Sequence, residues 1–139
     1  MDLKNELDMA FNYEPIKFKE IKDNEVIKPS DTVIELLGKA IPNQDKALGD
    51  VLSRTEGRNS RFNEMIVWDE LICPTIHNHG HYRGNDVSKF TRMDFIHAQT
   101  FPEDYDENGQ SIGYICGMSV PPIMIKRIVT RLIESGVFE

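Results

Sequence analysis

Residues 117–136 read Gly117-Met118-Ser119-Val120-Pro121-Pro122-Ile123-Met124-Ile125-Lys126-Arg127-Ile128-Val129-Thr130-Arg131-Leu132-Ile133-Glu134-Ser135-Gly136. Pro121 and Pro122 suit the first turn of a helix, where a missing N–H breaks no intrahelical bond. Behind them Ile125, Ile128, Val129, Leu132 and Ile133 form an apolar stripe, with Lys126, Arg127 and Arg131 on the other side. Gly136 tolerates the left-handed backbone that ends many helices. The pattern predicts a closing amphipathic helix between the proline pair and Gly136.

Working outward, Ser88 or Thr91 can cap a helix that runs to about Gln99 and is stopped by Pro102. Residues 103–112 form an acidic loop, and Gly113-Tyr114-Ile115-Cys116 is short and apolar. Met65-Ile66-Val67-Trp68 reads as a strand. Leu71 to His81 reads as extended, and His77 to Asn85 as turn, with Gly80 and Gly84. Residues 53–63 are polar and predict a loop. Ser30 or Asp31 starts a helix through Lys39, and Asn43 caps a second one carrying Ala47, Leu48, Val51 and Leu52. Residues 1–29 predict an irregular lead-in with one short strand or turn. Short helices mixed with short strands make the fold class α+β.

The 139 residues fit one domain, with ordinary hydrophobic (40%) and charged (28%) content. Met1 to Glu6 does not read as the start of a signal peptide, and no apolar run is expected to span a membrane. Cys73 and Cys116 lie in unrelated contexts, as reduced thiols do. A net charge of −7 argues against electrostatic grip on nucleic acid by the whole surface. Basic residues are nevertheless grouped locally, at Arg54, Arg58 and Arg61 and at Arg83, Lys89 and Arg92.

His77, His79 and His81 alternate, so on a strand their imidazoles would share one face and could bind a transition metal. The glycine and asparagine neighbours favour a polar loop without a metal. Ser119 reads as a helix cap, and neither cysteine has a local activating base.

Taken in order, Trp68-Asp69-Glu70-Leu71-Ile72-Cys73-Pro74-Thr75-Ile76, then Gly80 and Gly84, then Thr91-Arg92-Met93-Asp94-Phe95-Ile96-His97-Ala98-Gln99-Thr100-Phe101-Pro102, then Gly117 to Pro122, resemble the closing motifs of DNA cytosine-5 methyltransferases. The match covers roughly residues 61 to 136 and leaves 11 to 60 to that family's variable target-recognition region. On this resemblance residues 1–139 form a single C-terminal fragment. A target-recognition region spans 1–87, and the final two motifs and closing helix span 88–139. Three positions depart from the pattern: Met93 and His97 stand where the family has arginines, and Met118 where it has asparagine.

The resemblance implies methyl transfer from S-adenosylmethionine to C5 of cytosine in duplex DNA, as in restriction-modification, in a bacterial or phage cytoplasmic setting. It implies Ser119 and Val120 beside the cofactor. The family's Pro-Cys nucleophile loop and glycine-rich cofactor loop have no counterpart here. No catalytic residue is therefore assigned, and the partners expected are duplex DNA and an N-terminal catalytic domain, without a membrane. Such enzymes take the base out of the duplex, which demands a second surface for the opened DNA. Loops 54–61 and 77–85 would supply it through Arg58, Asn59, Arg61, His77, Asn78, His79 and Arg83. The alternatives are a small non-enzymatic protein-interaction module and, third, a metal-binding enzyme using His77, His79 and His81.

Overall fold

Ile66 and Tyr82 lie side by side on one face of a small sheet, and Val67 and Arg83 on the other, and this alternation organises the molecule. The computed structural model describes residues 11–58 and 63–136. Strands β1 (Met65–Val67), β2 (His81–Arg83) and β3 (Ser88–Lys89) form the sheet in that order. β1 and β2 are parallel, with Met65 opposite His81; β2 and β3 are antiparallel, with Arg83 opposite Ser88. Single bridges add Ala47 beside Met65 and Ile27 beside Lys89, so both edges of the sheet are covered.

Helices α1 (Asp31–Lys39) and α2 (Leu48–Glu56) cover the first face. Val33, Leu36 and Leu37 from α1 meet Leu48 and Val51 from α2 over Ile66, Trp68 and Tyr82. Against the second face Phe18 stacks on Phe90 at 5.1 Å, with Val67 beneath them and Phe95 at the edge. Phe18 opens a 3-10 turn, Phe18–Glu20, whose backbone bonds to the carbonyls of Leu71 and Asp69. Helices α3 (Arg92–Gln99), α4 (Ile112–Met118) and α5 (Pro122–Glu134) complete the chain.

Local rules account for most of the boundaries. Thr91 caps α3 by accepting from the Asp94 amide at 3.1 Å, and Asp94 accepts from the Thr91 amide at 2.8 Å, a reciprocal capping box. Gly136 has φ 72°, as expected one step past the end of α5. Arg92 holds the acidic loop through a two-pronged contact with Glu107 at 2.9 Å and a bond to the Tyr105 carbonyl.

Four expectations change. The second helix starts at Leu48 and not at Asn43, because Lys46 and Ala47 join the sheet edge and Asp50 accepts from both their amides. That helix also runs on to Glu56, into the stretch read as loop. His81–Arg83 is a strand inside the stretch read as turn; its polar side chains are buried by distant partners that no local pattern reveals. Residues 112–118 are helical, capped by Ser111, where only a short apolar run was evident. Residues on the two sides of positions 87 and 88 pack together: β2 pairs with β3, and Arg83 lies 3.5 Å from Asp94.

Candidate functional site

Two of the sequence motifs meet at one junction. The Gln99 side chain, on the last residue of α3, donates to the Ser119 carbonyl at 2.6 Å. Thr100 Oγ1 accepts from the Ile123 amide at 3.2 Å, so the end of α3 is tied to the start of α5. Thr100 takes φ 60°, a left-handed position where glycine or asparagine is usual. A glycine there would relieve the backbone but lose the hydroxyl that holds α5. Gly117 seats α4 on the chain leading to the histidines, since a Cβ at this position would lie 3.0 Å from the His77 Cα. A cavity of about 360 Å³ lies at the junction, lined by Cys73, Thr75, Gln99, Cys116, Ser119 and Met124. Both thiols are held protonated. Burial, with the Asp94 charge adding, pushes Cys73 up to about 12, and burial pushes Cys116 up to about 11.

The three histidines share one corner, with ring centroids 5.2 Å apart for His77 and His79 and 4.7 Å apart for His77 and His81. Two of their nitrogens serve the backbone. His77 Nδ1 accepts from the His79 amide at 3.1 Å, and His81 Nδ1 donates to the His79 carbonyl at 2.9 Å. Among the described residues no group of three or more His, Cys, Asp or Glu is placed to hold a metal. The His81 ring is 3% exposed and packs against Phe90 and Phe95, and its Nε2 has no partner. Burial pulls its pKa down to about 4, and burial with the His79 charge also lowers His77.

A depressed histidine pKa means that the unfolded chain binds the proton more readily. The stabilisation is therefore complete above the ordinary value near 6.5 and is lost as pH falls toward 4. Over that window His81 accounts for about 3 kcal/mol at ~1.4 kcal/mol per pH unit. Denaturant midpoints measured at pH 7.5 and 4.5 should differ accordingly, and His81→Phe should flatten the difference. An equal loss in the variant would place the titration elsewhere.

Of the residues expected to face DNA, Arg83 requires correction. It is 1% exposed and points inward, donating to the Asp23 carbonyl at 2.6 Å, to the Glu25 carbonyl and to Ser88 Oγ. A side chain so enclosed cannot reach a phosphate. It pins residues 23–25 to the sheet. Arg58 is exposed and paired with Glu56 at 2.6 Å. Asn78 and His79 are exposed and His77 half-buried, all three at the corner beside Gly117. Asn59 and Arg61 lie outside the described residues.

The chain alone does not fit S-adenosylmethionine. Ser119 Oγ donates to the Ile115 carbonyl at 2.6 Å, its amide bonds to Cys116 and its carbonyl accepts from Gln99. Val120 and Met118 are exposed but apolar. The Ser119 hydroxyl, amide and carbonyl are thus all engaged within the chain, and the side chains beside it present an apolar edge to a charged amino-acid end.

The open feature of this region is α5. None of its residues is buried, and Met124, Ile125, Val129 and Ile133 face solvent, Ile133 at 63% exposure. The 23 residues from Ile112 to Glu134 are long and apolar enough to cross a bilayer, contrary to expectation, because two helices add up where each alone is short. They are broken at Ser119, where the backbone is extended (ψ 152°). Comparison with protein-family models, with curated proteins and with solved structures gave no match.

Proposed function

We propose that this chain is the DNA-facing, cofactor-flanking portion of a DNA cytosine-5 methyltransferase, docked on a separate catalytic lobe through the apolar face of α5. The junction carries this reading. The Gln99–Ser119 and Thr100–Ile123 bonds bring together two motifs of the resemblance that are remote in sequence, and the helix leaving them has its apolar half in water. Fully burying an aliphatic side chain is worth about 1.5–3 kcal/mol, so covering Ile125, Val129 and Ile133 supplies several kcal/mol toward holding a partner. The accessible candidates for DNA on this reading are Arg58, His77, Asn78 and His79. Nucleophile and methyl donor belong to the lobe, with Ser119 and Val120 at the edge of its cofactor site. The same open face supports a second reading, a non-enzymatic interaction module.

The test joins this chain by a flexible linker to a cytosine-5 methyltransferase catalytic lobe truncated before its own recognition region, and measures radiolabelled methyl transfer to duplex DNA. The chain alone should transfer none. The fusion should exceed the lobe alone, and Ile125→Asp with Val129→Asp should remove at least tenfold of the gain. A fusion no more active than the lobe alone removes the methyltransferase reading and leaves the interaction module.

A further inference from the structure

The cations of this acidic protein are mostly neutralised. Lys17, Lys19, Lys22, Lys28, Lys39, Arg54, Arg58, Arg83 and Arg92 each have a carboxylate partner. Outside α5, Lys46 and Lys89 are the remaining described cations, and they stand on separate elements. Lys126, Arg127 and Arg131 are different. All three line one open cavity beside α5, and no ion-pair partner is found for any of them among the described residues. Arg127 and Arg131 are one turn apart, roughly 6 Å along the axis at 1.5 Å per residue.

Two aromatic rings lie against them. The Arg127 guanidinium sits 3.8 Å from the centroid of the Tyr13 ring, and that of Arg131 is 5.7 Å from the Phe11 ring. Rings and cations together line an open cavity of about 370 Å³, with Glu134 the acid on its wall. Tyr13 remains 59% exposed, so stacking surface is available beside the positive charge.

We propose that this cationic, aromatic face of α5 binds a single strand of nucleic acid, with Lys126, Arg127 and Arg131 on successive phosphates and a base stacked against Tyr13. Unpaired cations interleaved with aromatic rings are the combination that single strands take up with little regard to sequence. An anionic membrane fits less well. At 100° per residue Arg127 and Arg131 each lie roughly 160° around the helix from Val129, the middle of the apolar face, so burying that face in lipid turns both guanidinium groups away from the headgroups and leaves only Lys126 at its border. The inference is independent of the methyltransferase reading, because Arg127 and Arg131 lie roughly 120–160° around α5 from Ile125, Val129 and Ile133 at 100° per residue.

The test uses the whole chain and a fluorescein-labelled oligothymidylate of about 12 nucleotides, followed by anisotropy at low salt. The wild type should bind, and the affinity should fall with added salt. Arg127→Gln with Arg131→Gln should weaken binding at least tenfold, and Tyr13→Ala severalfold. Glu134→Gln should tighten it, a change in the opposite direction that no loss of folding can mimic. All four side chains lie at the surface, and circular dichroism should show native helix content in each variant. No binding by the wild type, equal binding by the double arginine variant, or tighter binding to the corresponding duplex overturns the proposal. So does Arg127- and Arg131-dependent capture by phosphatidylglycerol vesicles without oligonucleotide binding, which would assign the face to a membrane.

Discussion

Asp94→Ala will cost this protein about 3–5 kcal/mol, the usual consequence of removing one partner from a buried ion pair. Asp94 is fully buried, and its two oxygens do three things. Oδ1 accepts from the Asp23 amide at 2.8 Å, and Oδ2 accepts from the Thr91 amide at 2.8 Å while standing 3.5 Å from Arg83 Nε. Alanine leaves Arg83 in the core with Asp86, 3.7 Å away, as its remaining carboxylate, and removes the acceptor from the Thr91 and Asp23 amides. Asp94→Asn keeps an acceptor oxygen for one of the amides and should cost less. Urea unfolding of the three proteins decides the matter; a loss below about 1 kcal/mol for alanine would mean that water reaches Arg83. The same geometry bears on nucleic-acid experiments. Any loss of DNA binding on replacing Arg83 would arise from unfolding, and the variant's melting temperature should fall with it.

Gly84→Ala should be nearly as damaging through overlap alone. A Cβ there would stand 2.4 Å from Trp68 Cζ3 and 2.5 Å from Cε3. The indole cannot step aside. It is 2% exposed in the larger core, and its Nε1 donates to the Asp45 carbonyl at 2.6 Å. Asp45 is fixed in turn, accepting from the Ile41 amide and from Arg54, both at 2.7 Å. Overpacking of this kind costs about 1–3 kcal/mol, and so rigid a neighbour puts Gly84→Ala at the upper end. Trp68 is the single tryptophan, so its fluorescence reports directly on the displaced ring. Adding Trp68→Leu to Gly84→Ala should cost less than the sum of the two single losses, because the smaller side chain admits the methyl group. Strict additivity would show that the ring is not what the methyl meets.

The resemblance rested on residue order, and order alone does not say which side chains touch. Gln99 entered as part of a helix stop, yet its amide crosses to Ser119 and makes the junction on which the functional proposal depends. Thr100 carried no signal beyond its place before Phe101-Pro102, and its hydroxyl turns out to hold the first turn of α5. The histidine triplet was legible as a cluster, but not the bonds of His77 Nδ1 and His81 Nδ1 to the local backbone, nor the burial of His81 Nε2 without a partner. Arg83 is the sharpest case. In sequence it is one more arginine in a polar loop, and its acceptors are carbonyls 58 and 60 residues away.

From the sequence by itself came the α+β class, helix α1, the strand at Met65, a helix capped at Ser88 or Thr91, and the amphipathic closing helix between the proline pair and its glycine. Periodicity, capping and backbone preference act within one or two turns, so the information for them is local. Tertiary structure alone decided that Arg83 turns inward, that Gly84 faces an immovable indole, and that α5 keeps its apolar side in water and its cations beside Phe11 and Tyr13. Burial and charge pairing are set by whichever residues the fold brings within a few ångströms, and those partners stand tens of residues apart along the chain.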